Sequence, residues 1–285
     1  MTDQRRRKTK SKAKKRNYKY TAATADKHEL YQLSVQDPEI EIGFVNRVYK
    51  KTFGRMPVTL REDFCGTAFF CAEWVRLHPE RTATGIDLDQ PTLDWGIEHN
   101  LAQHGEPGRR VTLLCQNVLD PVKQSFDVAL GLNFSYWVFM TRDDMRAYFA
   151  GVHRSLSDKG MLFLDAYGGP YSMEAMSEDE IEKTTIKGGF TYLWDQHEFN
   201  AIDHRVVNHI HFEFRDGSKL ERAFTYEWRF WTLPELRELL AEAGFSRSYV
   251  YWEDEDEDGE GTGVYRARKR APNAGAWVAY IVAEK

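Results

Sequence analysis

The sequence predicts a doubly wound α/β sheet, and three observations carry that reading. Strand-like and helical runs alternate from residue 58 to residue 167. The strand runs are apolar nearly throughout, as strands covered on both faces must be. The last two strand runs have no helix between them, so they are expected to finish the sheet as an antiparallel hairpin. Seven strands are expected in this sheet.

Taken in order, the folded part is expected to begin near Asp26. Two short helical segments follow, broken around Pro38, with Ile42, Val45, Val48 and Tyr49 at helical spacing. Strands are predicted over 58–63, 82–87, 110–116, 126–132 and 160–167, and helices over 67–78, 91–104 and 141–156. A further helix, 232–243, carries clear end signals: Thr232 as N-cap, Pro234 in the first turn, Leu236, Leu239 and Leu240 on one face, Gly244 as stop. Strands over 246–253 and 277–284 complete the sheet. Residues 188–231 break the rhythm with three alternating, aromatic-rich runs, joined by turn chemistry at 200–203 and 216–217. They predict a small antiparallel β insertion, and its aromatic load suits a lid over a pocket. The domain reading is therefore a basic disordered tail over 1–25 and one domain over 26–285, with the insertion inside it.

Composition narrows the classes. No apolar run reaches the ~20 residues that span a bilayer, and the basic start has no apolar stretch after it, so neither a membrane span nor a secretory signal is expected. Cys65, Cys71 and Cys115 have no paired spacing, which fits a reducing cytoplasm and neither disulfides nor a zinc motif. The net charge of −5 conceals a split: residues 1–19 carry ten Lys/Arg and one Asp, while the rest of the chain is acidic. The tail reads as a solubilising arm or as a polyanion contact through residues 5–19. The acidic body argues against a folded nucleic-acid groove, and the acidic loop 253–260 is assigned no chemistry.

In a doubly wound sheet, ligands bind beyond the carboxyl ends of the strands. The first strand ends in Glu62-Asp63-Phe64-Cys65-Gly66-Thr67-Ala68, the second in Asp87-Leu88, the third in Asn117-Val118. A carboxylate such as Asp87 has two acceptor oxygens for the two hydroxyls of a ribose, and Asn117 can reach an adenine edge. Gly66 allows close approach of the backbone. A dinucleotide would want G-x-G-x-x-G and a helix N-terminus free of acids. Here one glycine stands beside Glu62 and Asp63, an arrangement that favours a cationic ligand. The competing reading is an ion pair of these acids with Arg61 or Arg55.

On these residues the chain resembles the class I S-adenosylmethionine-dependent methyltransferases, from about residue 58 to 167 together with the last helix and hairpin. Glu62 falls on the first acid of the family's glycine-rich motif, and Cys65-Gly66-Thr67 on a common variant of its turn. Phe64 and Ala68 stand where the family usually has glycine. The resemblance implies a Rossmann-like fold and S-adenosyl-L-methionine as cofactor. Its binding residues would be Glu62, Asp63, Cys65, Gly66, Thr67, Asp87, Leu88, Asn117, Val118 and Asn133. The position of the β insertion resembles that of small-molecule N-methyltransferases. It implies a small-molecule acceptor, an amine among the candidates, with Tyr136, Tyr167 and His209 as catalytic candidates near the pocket. Trp137 and Trp194 would be further aromatic walls, and Tyr31 and Gln36 would close over the cofactor. Two other functions fit the same residues: a methyltransferase on protein or RNA recruited by the tail, and a non-catalytic binding module. His209 and His211 share one strand face, but with no CxxC or HxxxH no metal is expected. Oligomeric state is not legible.

Overall fold

The computed structural model describes residues 19–176, 181–186, 188–256, 259 and 261–285. The basic tail up to residue 18, and residues 257, 258 and 260 of the acidic loop, lie outside them.

Asp26 caps α1 (Lys27–Val35) and Asp37 caps α2 (Pro38–Phe53), each accepting amide hydrogen bonds from the first turn. Pro38 sits where its missing N–H costs nothing, so the break falls where the sequence places it. There follow β1 (Thr59–Asp63), α3 (Phe69–Arg76), β2 (Thr82–Asp87), α4 (Gln90–Gly96), β3 (Val111–Cys115), β4 (Phe126–Gly131), α5 (Arg142–Ser155) and β5 (Leu156–Gly168). After β5 come β6 (Glu182–Ile186), β7 (Phe190–Phe199), β8 (Arg205–Phe214) and β9 (Lys219–Arg229). The chain ends with α6 (Leu233–Glu242), β10 (Arg247–Glu255), β11 (Gly261–Arg268) and β12 (Trp277–Glu284). Thr232 and Glu235 form a full capping box on α6, worth about 1 kcal/mol.

The main sheet has the order β11-β10-β12-β5-β4-β1-β2-β3. Strands β3, β2, β1, β4 and β5 run parallel, and β12, β10 and β11 are antiparallel additions. The doubly wound fold is therefore present, but with eight strands rather than seven. The extra strand, β11, pairs on the outer edge of β10 and is almost wholly exposed. Its Arg266 and Arg268 both pair with Asp254, so the basic segment partly neutralises the acidic one.

Strand alternation sorts the core into two layers. Leu162, Leu164 and Ala166 of β5 face α5 and α6, packing with Tyr148, Phe149 and Leu239. Met161 and Phe163 face the other way, against Phe44 and Val45 of α2 and Trp74 of α3. The insertion between β5 and α6 is a separate antiparallel sheet of order β6-β7-β8-β9. It has one strand more than expected, because β6 is polar and exposed. Its inner face, with Phe190, Ile210 and Phe212, packs on Tyr20 and Leu30, so α1 and the insertion share a small core of their own.

Candidate active site

All five parallel strands end on one edge, and the turn after β1 lies at its centre. Three of its residues are left-handed: Phe64 at φ 57°, Gly66 at 52° and Ala68 at 53°. The two side chains that replace family glycines thus adopt the backbone that glycine ordinarily supplies. Phe64 is held there by packing on Tyr148 and Phe139, with ring centroids 5.8 and 6.2 Å away. The Asp87 carboxylate accepts the Gly66 N–H at 2.8 Å and the Asp89 N–H at 3.0 Å, tying the ends of β1 and β2 together. The Gln32 amide donates to the Thr67 hydroxyl at 2.7 Å, which brings α1 over the turn. Cys65 is buried, and a side chain on Gly85 would meet its sulfur at 2.8 Å, so β2 has to be bare there.

Glu62 and Asp63 part company. Asp63 is fully buried, accepts from Arg61 Nε at 2.8 Å and from the Tyr148 hydroxyl at 3.0 Å. Its side chain has no solvent exposure, so a ligand cannot reach it, which corrects the expectation that it binds cofactor; the alternative of an ion pair with Arg61 is what the fold contains. Arg61 also donates to the Ser155 hydroxyl and to the Val118 carbonyl, so the interior surrounds it with acceptors. Val118 is itself buried, whereas Leu88 and Asn117 stand exposed at neighbouring strand ends. The Asn117 side chain accepts the Leu119 N–H. Glu62 accepts the Cys71 N–H at 3.1 Å, in the first turn of α3. A carboxylate therefore occupies the helix end on which a pyrophosphate would have to sit.

A cavity of about 440 Å³ lies between the inner face of the insertion, α1 and the ends of β4 and β5. Its walls include Tyr31, Tyr167, Trp194, Tyr226, Trp228 and Trp277, and Asn133 reaches it from the end of β4. Of the three catalytic candidates, Tyr167 alone lines it. Tyr136 is fully buried with its hydroxyl donating to the Asp165 carbonyl at 2.7 Å. His209 points to the opposite face of the insertion, since Ile210 next to it lines the cavity and successive strand residues alternate. Both expectations are corrected. Trp137 is likewise core, stacked beneath Tyr167 at 4.6 Å. Gln36, at the end of α1, is not among the cavity's walls.

The fold is that of solved methyltransferases. An S-adenosylmethionine-dependent methyltransferase from Clostridium acetobutylicum ATCC 824 superposes with a TM-score of 0.63 at 15% identity, over 90% of this chain and 96% of that one. CalS10 from Micromonospora echinaspora, an amino pentose methyltransferase, gives 0.62 at 14%, over 95% and 99%. The sugar N-methyltransferase KedS8 from Streptoalloteichus sp ATCC 53650 gives 0.59 at 16%, over 96% and 98%. Among curated proteins no sequence matches. Residues 63–164, from the turn after β1 into β5, match the family model for a methyltransferase domain. Within a chain that has the fold of solved S-adenosylmethionine-dependent methyltransferases, residues 63–164 carry the match to a methyltransferase domain.

Around the turn after β1, three further acids, Glu62, Asp165 and Glu41, gather. Burial pushes Glu62 up to about 7, and nearby Asp87 and Asp63 push the same way. Burial does the same for Asp165, to about 7, although it accepts the N–H groups of Asn133 and Phe134 at 2.7 and 2.9 Å. Glu41 on α2 rises to about 8, through burial and then the charges of Asp165 and Glu62. None of these three is ion-paired with a Lys or Arg among the described residues. Sequence reasoning misses Glu41 and Asp165; the visible signal for Asp165 is an acid inside an otherwise apolar strand. Burial also raises the thiols of Cys65 and Cys71, which suits packing and not nucleophilic attack. No described helix is long and apolar enough to cross a membrane.

Proposed function

We propose that this methyltransferase acts on a small amine held in the aromatic cavity, and that the turn after β1 holds the cofactor. Unpaired acids at the strand ends, with Glu62 seated on the α3 amide, are the observation that carries the cofactor half. Buried carboxyls, with Glu41 raised by the charges of Asp165 and Glu62 and Glu62 by those of Asp87 and Asp63, are relieved by a cation and worsened by a phosphate. Glu62 and the backbone around Gly66 would hold the amino-acid end of the ligand. Asp87 would take the ribose hydroxyls, and Leu88, Asn117 and Val118 would flank the base. When bound, S-adenosylmethionine supplies an electrophilic methyl carbon on a sulfonium.

The chain's own residues then have three tasks. The insertion and α1 wall the cavity over the strand ends, and closing it on bound ligands would exclude water. The rings of Trp194, Tyr226 and Trp228 give a cationic or apolar acceptor faces to lie against. Tyr167 orients the acceptor: burial raises its phenol, so near neutral pH it keeps its proton and donates a hydrogen bond rather than acting as base. An amine that enters already neutral needs no base to become a nucleophile. The amino pentose and sugar N-methyl activities named for two structural neighbours support an amine among the acceptors.

Two measurements test this. Calorimetry with S-adenosylmethionine and with a nicotinamide dinucleotide should show binding of the first alone. From about pH 6 to about pH 8 its affinity should tighten about tenfold with release of protons, because a bound cation lowers carboxyl pKa values that stand near 7 and 8 in the free protein. A flat pH profile, or dinucleotide binding, sinks the cofactor reading. For the acceptor half, Trp194→Ala should raise the KM for amino-sugar acceptors by about tenfold while the affinity for S-adenosylmethionine stays put. Equal loss of both would show that the cavity does not seat the acceptor.

A further inference from the structure

The outer face of the insertion, away from the cavity, carries a cluster that the methyltransferase reaction does not use. On β7 and β8, Asp195 and His209 are directly opposed in the ladder. A bulge in β7 between Gln196 and Glu198 adds His197 to the same group. One donor atom from each of Asp195, His197 and His209 lies within 4.8 Å of the other two. We propose that these three residues form a binding site for a divalent transition metal, with Zn²⁺ as the ion best suited to two imidazoles and a carboxylate.

Hydrogen bonding around the cluster is that of a metal site with its outer shell in place. His209 is only 4% exposed, and its Nδ1 lies 2.9 Å from the Thr225 hydroxyl. That contact leaves Nε2 as the free nitrogen, and it is buried without any hydrogen-bond partner. A buried ring nitrogen with no partner is costly unless something else completes it. Asp195 is held from behind. His211 Nδ1 accepts the Arg222 N–H at 3.1 Å, so its Nε2 carries the proton and faces Asp195 Oδ2 at 3.3 Å. His211 thus has both nitrogens engaged and acts as a positioning residue, in the way second-shell partners orient metal-bound carboxylates. His197 Nδ1 stands 3.9 Å from the same carboxylate oxygen, with its side chain half exposed. A metal would enter from that open side and keep a water as its fourth ligand. The sequence shows His209 and His211 on one strand face but not the site itself, because its donors lie on two strands and meet only through the hairpin register.

The test is titration of the full chain with Zn²⁺ alone, followed by calorimetry and by competition with a zinc-sensitive dye. One saturable ion per chain is expected, with affinity lost at least tenfold in His197→Ala and in Asp195→Asn. His197 is exposed, so its variant keeps the fold and the result stays readable. Co²⁺ in place of Zn²⁺ should show ligand-field absorption that disappears in both variants, whereas Trp194→Ala, on the cavity side, should leave it intact. Absence of saturable binding, or binding unchanged in His197→Ala, overturns the proposal.

Discussion

Asp87→Ala is expected to weaken S-adenosylmethionine binding by about a hundredfold, the largest functional effect of any single change in the site. Two charge-assisted hydrogen bonds to the ribose are worth about 3 kcal/mol together, and every 1.4 kcal/mol is tenfold. Asp87 also organises the protein, because its carboxylate accepts the N–H groups of Gly66 and Asp89. Its removal therefore loosens the turn as well as deleting the contact. Asp87→Asn keeps the shape and one acceptor oxygen, and should retain part of the affinity. Calorimetry on variants whose circular dichroism matches the parent is the appropriate measurement. Undiminished affinity in a folded Asp87→Ala protein would place the ribose elsewhere.

The second large effect concerns stability. Arg61→Met should cost about 3–5 kcal/mol, because it leaves the Asp63 carboxylate buried and unpaired. Arg61 and Asp63 are essentially solvent-free, at 1% and 0% side-chain exposure, and water cannot substitute for the lost partner. The Ser155 hydroxyl and the Val118 carbonyl lose their donor at the same time. The exposed Arg146–Asp143 pair provides the contrast: its removal should be close to neutral. Urea unfolding of both variants decides the matter, and an unchanged midpoint for Arg61→Met would show that the pair is not a structural linchpin.

How much of this is readable in the sequence follows from what each element exposes. The parallel strands are legible because burial on both faces makes them continuous apolar runs, and α1 and α2 because Asp26, Asp37 and Pro38 mark their starts. Strands β6 and β11 are illegible for the converse reason. Exposed edge strands of Glu, Lys, Thr and Arg bury nothing that would set a period. The partner of Asp63 was within reach, since Arg61 lies two residues away on the same side of β1. So was the orientation of His209: Ile210, Phe212 and Phe214 face the small core, and alternation sends His209 and His211 outward. The acid cluster is harder to foresee, because Glu41 and Asp165 come from a helix and a strand far apart in the chain.

Phe64 and Ala68 bear on how the turn meets its ligand. A glycine-rich loop is supple and settles around what it receives; one with an aromatic ring wedged into the core beneath it keeps a single contour. Each left-handed side chain costs about 1–2 kcal/mol, and for Phe64 the packing on Tyr148 and Phe139 offsets that cost. The mould is thus cast before the guest arrives, and discrimination rests on whether the guest matches a fixed outline.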